Sequence, residues 1–278
     1  MIISIASGKG GTGKTSIATN LALSINNVQL LDCDVEEPNS YLFLKPEINK
    51  TEDVFIFVPV VDESLCDNCG KCAEFCEYNA IFVSKDKILI FPELCHSCGG
   101  CKLVCPTSAI REEPHKTGTI YYGNSKGIEI IYGELEVGDA VASNVVREVK
   151  LRMNKDRNVI IDSPPGASCP VIESVKNSDF CILVTEPTPF GLHDLRIAVS
   201  VLREMDIPFG VIVNRADIGD RKVYDYCKKE NISILLEVPF ERKIAELYSK
   251  GIPFVLEMPA WKEKFQKLFD TIRAMVQK

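Results

Sequence analysis

The sequence predicts an α/β fold, a mostly parallel sheet with helices on both faces, carrying a small inserted α+β unit. Three observations predict it. A strand-like run, IISIA at residues 2–6, passes through a glycine-rich turn into the helix-like TSIATNLALSI. Further apolar runs, VQLLD, VIID to Asp162, CILVT to Thr185 and GVIV to Val213, recur with helix-like sequence such as LHDLRIAVSVLREM after them. That alternation is what a parallel sheet covered on both faces requires. Between Asp62 and Glu113 the rhythm breaks into four-residue apolar runs, AIFV and ILIF, joined by the polar turn SKDK and flanked by cysteines.

The first turn is the most informative element. SGKGGTGKTS, residues 7–16, contains Gly8-x4-Gly13-Lys14-Thr15 between a strand and a helix, the context that marks a phosphate-binding loop. The backbone from Gly8 through Lys9, Gly10, Gly11, Thr12 and Gly13 to Lys14, Thr15 and Ser16 is expected to wrap phosphates, helped by the helix dipole. Lys14 is expected to reach the β- and γ-phosphates, and the Thr15 hydroxyl to ligate Mg²⁺.

Lys9 adds a second lysine, and Lys-Gly-Gly-x-Gly-Lys-Thr resembles the deviant loop of the MinD/ParA group of P-loop ATPases. The resemblance implies that Lys9 reaches across a nucleotide-sandwich homodimer to the partner's ATP. It also implies two switches. LLDCDVEEPN places Asp32 and Asp34 at the end of the second strand, Asp34 matching the aspartate that orients the attacking water, and IIDSPPG places Asp162 at the γ-phosphate sensor. Carboxylates at strand ends beside such a loop can hold Mg²⁺ directly or through water. Asn214, in IVNRAD, matches the group's adenine-contacting asparagine.

The inserted segment holds eight of the twelve cysteines, as two copies of C-x2-C-x2-C-x3-C that start 29 residues apart. In a reducing compartment such a concentration points to metal rather than disulfides. The run resembles that of bacterial-type two-cluster ferredoxins, in which the fourth cysteine serves the other cluster. It implies one [4Fe–4S] cluster on Cys66, Cys69, Cys72 and Cys105, and a second on Cys76, Cys95, Cys98 and Cys101. Zinc is the alternative, though structural zinc sites use separated pairs. Glu77 stands where the second copy has Pro106, a loop-shaping position. His96, between two of these cysteines, is expected to face water, and His115 and His193 show no constellation.

Cys33, Cys181 and Cys227 lie in apolar runs and read as buried thiols. Cys169 follows Asp162 by seven residues, the offset of a bridging ligand in the nitrogenase iron protein, but no cysteine between Cys105 and Cys169 supplies the other half of that site. Trp261, Phe265, Leu268, Phe269, Ile272 and Val276 form one face of a last helix. That stripe reads as core packing rather than a membrane grip, because Glu263 and Asp270 dilute its basic side. Glycines between 118 and 138 interrupt short β-like runs in the manner of a hairpin.

The chain then divides into an ATPase domain at 1–61 and 114–278 and a ferredoxin-like insert at 62–113. With 32 basic against 39 acidic residues the chain shows no footprint for nucleic acid. No apolar run approaches the ~20 residues that span a bilayer. The expectation is a cytoplasmic ATP hydrolase coupling nucleotide state to electron transfer, with an electron donor and an acceptor or metallocofactor client as partners. A cluster carrier with ATP-controlled docking is the alternative, weakened by the lack of a carboxy-terminal Cys-x-x-Cys pair, and a membrane-positioning ATPase with structural clusters is a third.

Overall fold

The computed structural model describes residues 1–85 and 87–277, so Asp86 in the SKDK turn lies outside the described residues. Along the chain come β1 (Ile2–Ser7), α1 (Lys14–Ser24), β2 (Val28–Asp32), α2 (Ser40–Leu44) and β3 (Glu47–Val61). The cysteine-rich segment forms α3 (Lys71–Phe75), β4 (Ile81–Val83), β5 (Ile88–Ile90) and α4 (Gly100–Val104). Then follow β6 (Ile110–Ser125), β7 (Ile128–Leu135), α5 (Ala142–Leu151), β8 (Asn158–Pro165), α6 (Cys169–Val175) and β9 (Phe180–Thr185). The chain ends with α7 (Pro189–Glu204), β10 (Phe209–Asn214), α8 (Lys222–Lys229), β11 (Ile234–Val238), α9 (Arg242–Ser249) and α10 (Pro259–Val276).

Nine of these strands form one sheet in the order β11-β10-β9-β1-β8-β2-β7-β6-β3. From β11 to β7 all neighbours are parallel, as the alternation of strand and helix sequence requires. The inner strands are apolar throughout because both faces are covered. Ile160 and Ile182 pack beneath α1 and α10, whereas Ile161 packs under α5 and Leu183 against α7. The stripe on α10 joins that first core, with Phe265 and Ile272 fully buried. Among the described residues no helix is long and apolar enough to cross a membrane.

The last two strands of the sheet depart from the expectation. The glycine-interrupted segment is a hairpin, β6–β7, closed over Lys126 and Gly127, both at positive φ as a two-residue turn needs. But β6 also pairs antiparallel with β3, and this ribbon was not legible as part of the sheet. The last β6–β7 pair is Gly118 with Leu135, while β3 and β6 stay paired as far as Val61 and Ile110. Eight residues of β6, 110–117, therefore run past the carboxyl edge of the parallel strands, roughly 25 Å at about 3.3 Å per residue. The cysteine segment sits at the end of this overhang. It is pinched where Asp62 N–H donates to Ala109 O at 2.8 Å, so the expected boundary at 113 falls inside β6.

Phe265 tests how far α10 belongs to the fold. Phe265→Ala should lower unfolding free energy by about 3–5 kcal/mol, measured by urea denaturation. A loss below about 1 kcal/mol would show α10 to be a dispensable appendage.

Candidate functional site

All parallel strands deliver their carboxyl ends to one edge, and there the glycine loop turns into α1. Gly13 caps α1 at φ 97°, and a side chain there would lie 2.6 Å from Asn214 Nδ2, so glycine is required twice over. Asn214, at the end of β10, donates that amide to Thr12 O at 2.8 Å and accepts from Arg215 N–H at 3.0 Å. It braces the loop as well as lining the recess beside it. Lys14 is only 6% exposed at the first position of α1, next to Thr15 and Ser16.

The recess has a volume of about 320 Å³ and opens to solvent. One end is polar, formed by the glycine loop, Lys14, Thr15 and Asp34. The other is largely apolar, formed by Pro239, Phe240, Ile244 and Tyr248 after β11. An object charged at one end and flat and apolar at the other fits this shape. The apolar end was missed from sequence, because β11 and α9 carry no motif.

Asp32, the last residue of β2, stands directly opposite Asp162 of the adjacent parallel strand β8, and both are fully buried. Their environments differ. Asp32 accepts backbone N–H from Asp34 (3.1 Å), Asn39 (3.1 Å) and Ser40 (2.9 Å), so both its oxygens fold the 34–40 turn. Neither oxygen of Asp162 has a partner. Burial, with Asp32 beside it, pushes the Asp162 carboxyl well above the usual range, and burial and Asp32 together raise Asp34 to about 7. Two orphaned carboxylate oxygens next to Thr15 and Lys14 are the donor set a hard divalent cation fits. Of the four residues expected around Mg²⁺, Asp162 and Thr15 have the free valence, and Asp32 positions Asp34.

Lys9 does not point into open solvent. Its ammonium pairs with Glu186 at 3.4 Å, and Arg215 pairs with the same carboxylate at 3.0 Å. Glu186 directly follows β9 with its side chain only 10% exposed, so one largely buried anion holds a cation from the loop and a cation from the rim of the recess. Neither Glu186 nor Arg215 stood out in the sequence.

The eight clustered cysteines sort into two sets. Cys66, Cys69, Cys72 and Cys105 line one shallow recess, and Cys76, Cys95, Cys98 and Cys101 line another. The sequence repeat is also a backbone repeat. Asn68, Gly70 and Asn79 take positive φ in the first copy, and Ser97, Gly99 and Ser108 do so 29 residues later. Each loop bends back to place its short helix, α3 or α4, and the residue ending that helix, Cys76 or Cys105, lines the other copy's recess. The helices touch so closely that a side chain at Gly100 would lie 2.0 Å from the Phe75 ring. Backbone N–H groups of Asn68, Ser97 and Ala109 donate to the sulfurs of Cys66, Cys95 and Cys105 at 3.5, 3.4 and 3.3 Å. Among the described residues no three His, Cys, Asp or Glu converge closely enough for a single ion; each set of thiols rings a space instead.

His96 departs from its expected solvent-facing role: it stacks on Tyr78, centroids 3.5 Å apart, and both line the second of these recesses. His115 does have a partner, Asp139 at 3.2 Å. Cys33, Cys181 and Cys227 are buried, and burial pushes Cys227 up to about 11. Cys169 is exposed at the start of α6.

The family description "CobQ/CobB/MinD/ParA nucleotide binding domain" matches residues 3–254. The chain belongs to this family. This CobQ/CobB/MinD/ParA member is 32% identical over 263 residues to an uncharacterised protein of Methanocaldococcus jannaschii, covering 92% of this chain and 91% of that one. It is 25% identical to the iron-sulfur cluster carrier protein of Pyrococcus abyssi, covering 98% of this chain and 87% of that one. Its fold resembles that of the septum site-determining protein MinD from Pyrococcus horikoshii, solved with Mg-ADP, at a TM-score of 0.59 and 21% identity over 96% and 93% of the two chains.

Asp162→Asn gives a test of the cation site. A carboxyl whose folded pKa is raised costs stability once it ionises: its contribution is full below the ordinary carboxylate range and is lost as pH rises. The substitution should therefore stabilise the metal-free, nucleotide-free protein by about 1–3 kcal/mol at pH 8 and by little at pH 4. It should also abolish the further rise in melting temperature that Mg²⁺ with ADP gives the unaltered protein. Equal Mg²⁺-dependent stabilisation in both would remove Asp162 from the cation site.

Proposed function

We propose that this protein is an ATP-controlled iron–sulfur protein, in which nucleotide state at the glycine loop governs what the cysteine-bearing insert does. The observation that carries this reading is the presence in one chain of a family nucleotide site and two complete four-cysteine sets, the second held past the edge at which the first opens. Lys14, Thr15 and the loop amides would hold the phosphates, Asp162 and Thr15 the Mg²⁺, and Pro239, Phe240 and Tyr248 the base. Asp34, held by Asp32, would orient the attacking water. In a nucleotide-dependent homodimer Lys9 would leave Glu186 for the partner's phosphates.

Bound clusters would supply one-electron chemistry or be the cargo itself. Relatives named iron-sulfur cluster carriers, 24–26% identical over 93–98% of this chain, favour cargo delivered by ATP-controlled docking. One feature of this chain favours electron delivery instead. Each set supplies all four thiols from a single chain, which suits resident clusters rather than transferable ones.

Protein purified anaerobically should carry about eight iron and eight sulfide per chain, four to each set. Cys66→Ser and Cys95→Ser should each disturb about half. Stoichiometric zinc without acid-labile sulfide would end the iron–sulfur reading. Incubation with an apo-acceptor then separates its two forms: iron moving with ATP supports carriage, and iron retained while the clusters cycle redox state supports electron delivery.

Lys9→Ala should still bind ATP through Lys14 yet fail to dimerise, with turnover falling roughly a hundredfold or more. Analytical ultracentrifugation and phosphate release check it. Normal dimerisation in the variant would remove Lys9 from the interface.

A further inference from the structure

From the nucleotide recess to the insert runs a short connector, residues 135–140, anchored at both ends. At the recess end, Leu135 N–H donates to Val35 O at 2.8 Å, and Val35 directly follows Asp34. Val35 also lies against Gly133, where an added side chain would come within 3.0 Å of it. At the insert end, Ala140 N–H donates to Glu93 O at 3.2 Å. Glu93 belongs to the single turn Pro92–Leu94, which closes on Cys95 through Cys95 N–H to Pro92 O at 3.0 Å.

Between its ends the connector is tied sideways to the overhanging ribbon. Glu136 N–H donates to Thr117 O at 3.0 Å, and the Glu136 carboxylate meets Lys116 at 2.9 Å; the same ammonium reaches Asp53 of β3 at 2.9 Å. Asp139, its side chain 8% exposed, meets His115 at 3.2 Å. Gly138 takes φ 100° with open space around it, a position where the backbone can turn freely.

We infer that residues 135–140 transmit nucleotide state to the second cysteine set: movement of Asp34 and Val35 on binding triphosphate pulls Leu135, and the connector passes that displacement through Glu93 to the turn holding Cys95. The inference rests on the proposed function, electron delivery and carriage alike. It gives that reading a material route, a contiguous set of hydrogen bonds and ion pairs between the sites. The salt links of Glu136 and Asp139 make the connector move as one piece with the ribbon. Without them the turn at Gly138 absorbs the displacement.

The test uses the full, cluster-loaded protein with Mg·ADP or a non-hydrolysable ATP analogue. Two readouts are taken: the rate of iron loss to a chelator, and amide hydrogen exchange at 34–40, 135–140 and 92–98. In the unaltered protein the two nucleotides should change the iron-loss rate by at least about fivefold, with protection changing in all three segments. In Asp139→Ala and in Glu136→Gln the difference should fall below about twofold, with ATP turnover and iron content unchanged. No nucleotide-dependent difference in the unaltered protein would sink the proposed function itself. A difference that survives in both variants would overturn the connector alone. Should the variants lose iron, exchange in the unaltered protein decides: a protection change at 34–40 that does not reach 92–98 overturns the inference.

Discussion

The parallel register of β1, β8 and β2 is the constraint on which the rest depends. Pairing Ile5 with Asp162, and Asp162 with Asp32, brings the glycine loop, the Asp162 carboxyl and the turn that follows Asp32 to one edge. It also forces two buried carboxylates side by side, an arrangement costly without a counter-charge. Three backbone N–H groups offset part of that cost at Asp32, whose carboxyl burial still raises, and no hydrogen bond offsets it at Asp162. The edge is thus left short of positive charge beside Lys14 and Thr15, and its electrostatics favour a cation there.

The same edge decides what the insert can do. Because β7 runs parallel to β2 and β6 returns antiparallel, the free end of the β3–β6 ribbon points past the nucleotide recess rather than away from it. An insert placed after an opposite strand end would hang from the far side of the sheet. Here the second cysteine set stays within one connector of Asp34.

Much of the site was legible because its chemistry demands particular residues at fixed spacing. A phosphate loop needs glycine where φ is positive, as at Gly11 and Gly13, and the repeated cysteine loops share the left-handed positions that Asn68, Gly70, Ser97 and Gly99 take. What escaped reading has no such demand. Glu186 gathers Lys9 and Arg215 from separate loops, and Phe240 and Tyr248 close the recess from a loop and a helix with ordinary sequences. His115 and Asp139, 24 residues apart, meet only because β6 overshoots β7.

By itself, the sequence determined the parallel α/β core and the glycine loop, since each follows from local periodicity or from spacing within a few residues, whereas the crossed sorting of the eight cysteines was implied only by the resemblance to two-cluster ferredoxins. Tertiary structure alone decided which aspartate keeps free oxygens, what anion holds Lys9, and that the insert overhangs the nucleotide edge. Those outcomes depend on register between strands far apart in the chain. A shift of one residue in β2 against β8, or in β6 against β7, would leave every motif intact and separate the groups that now meet.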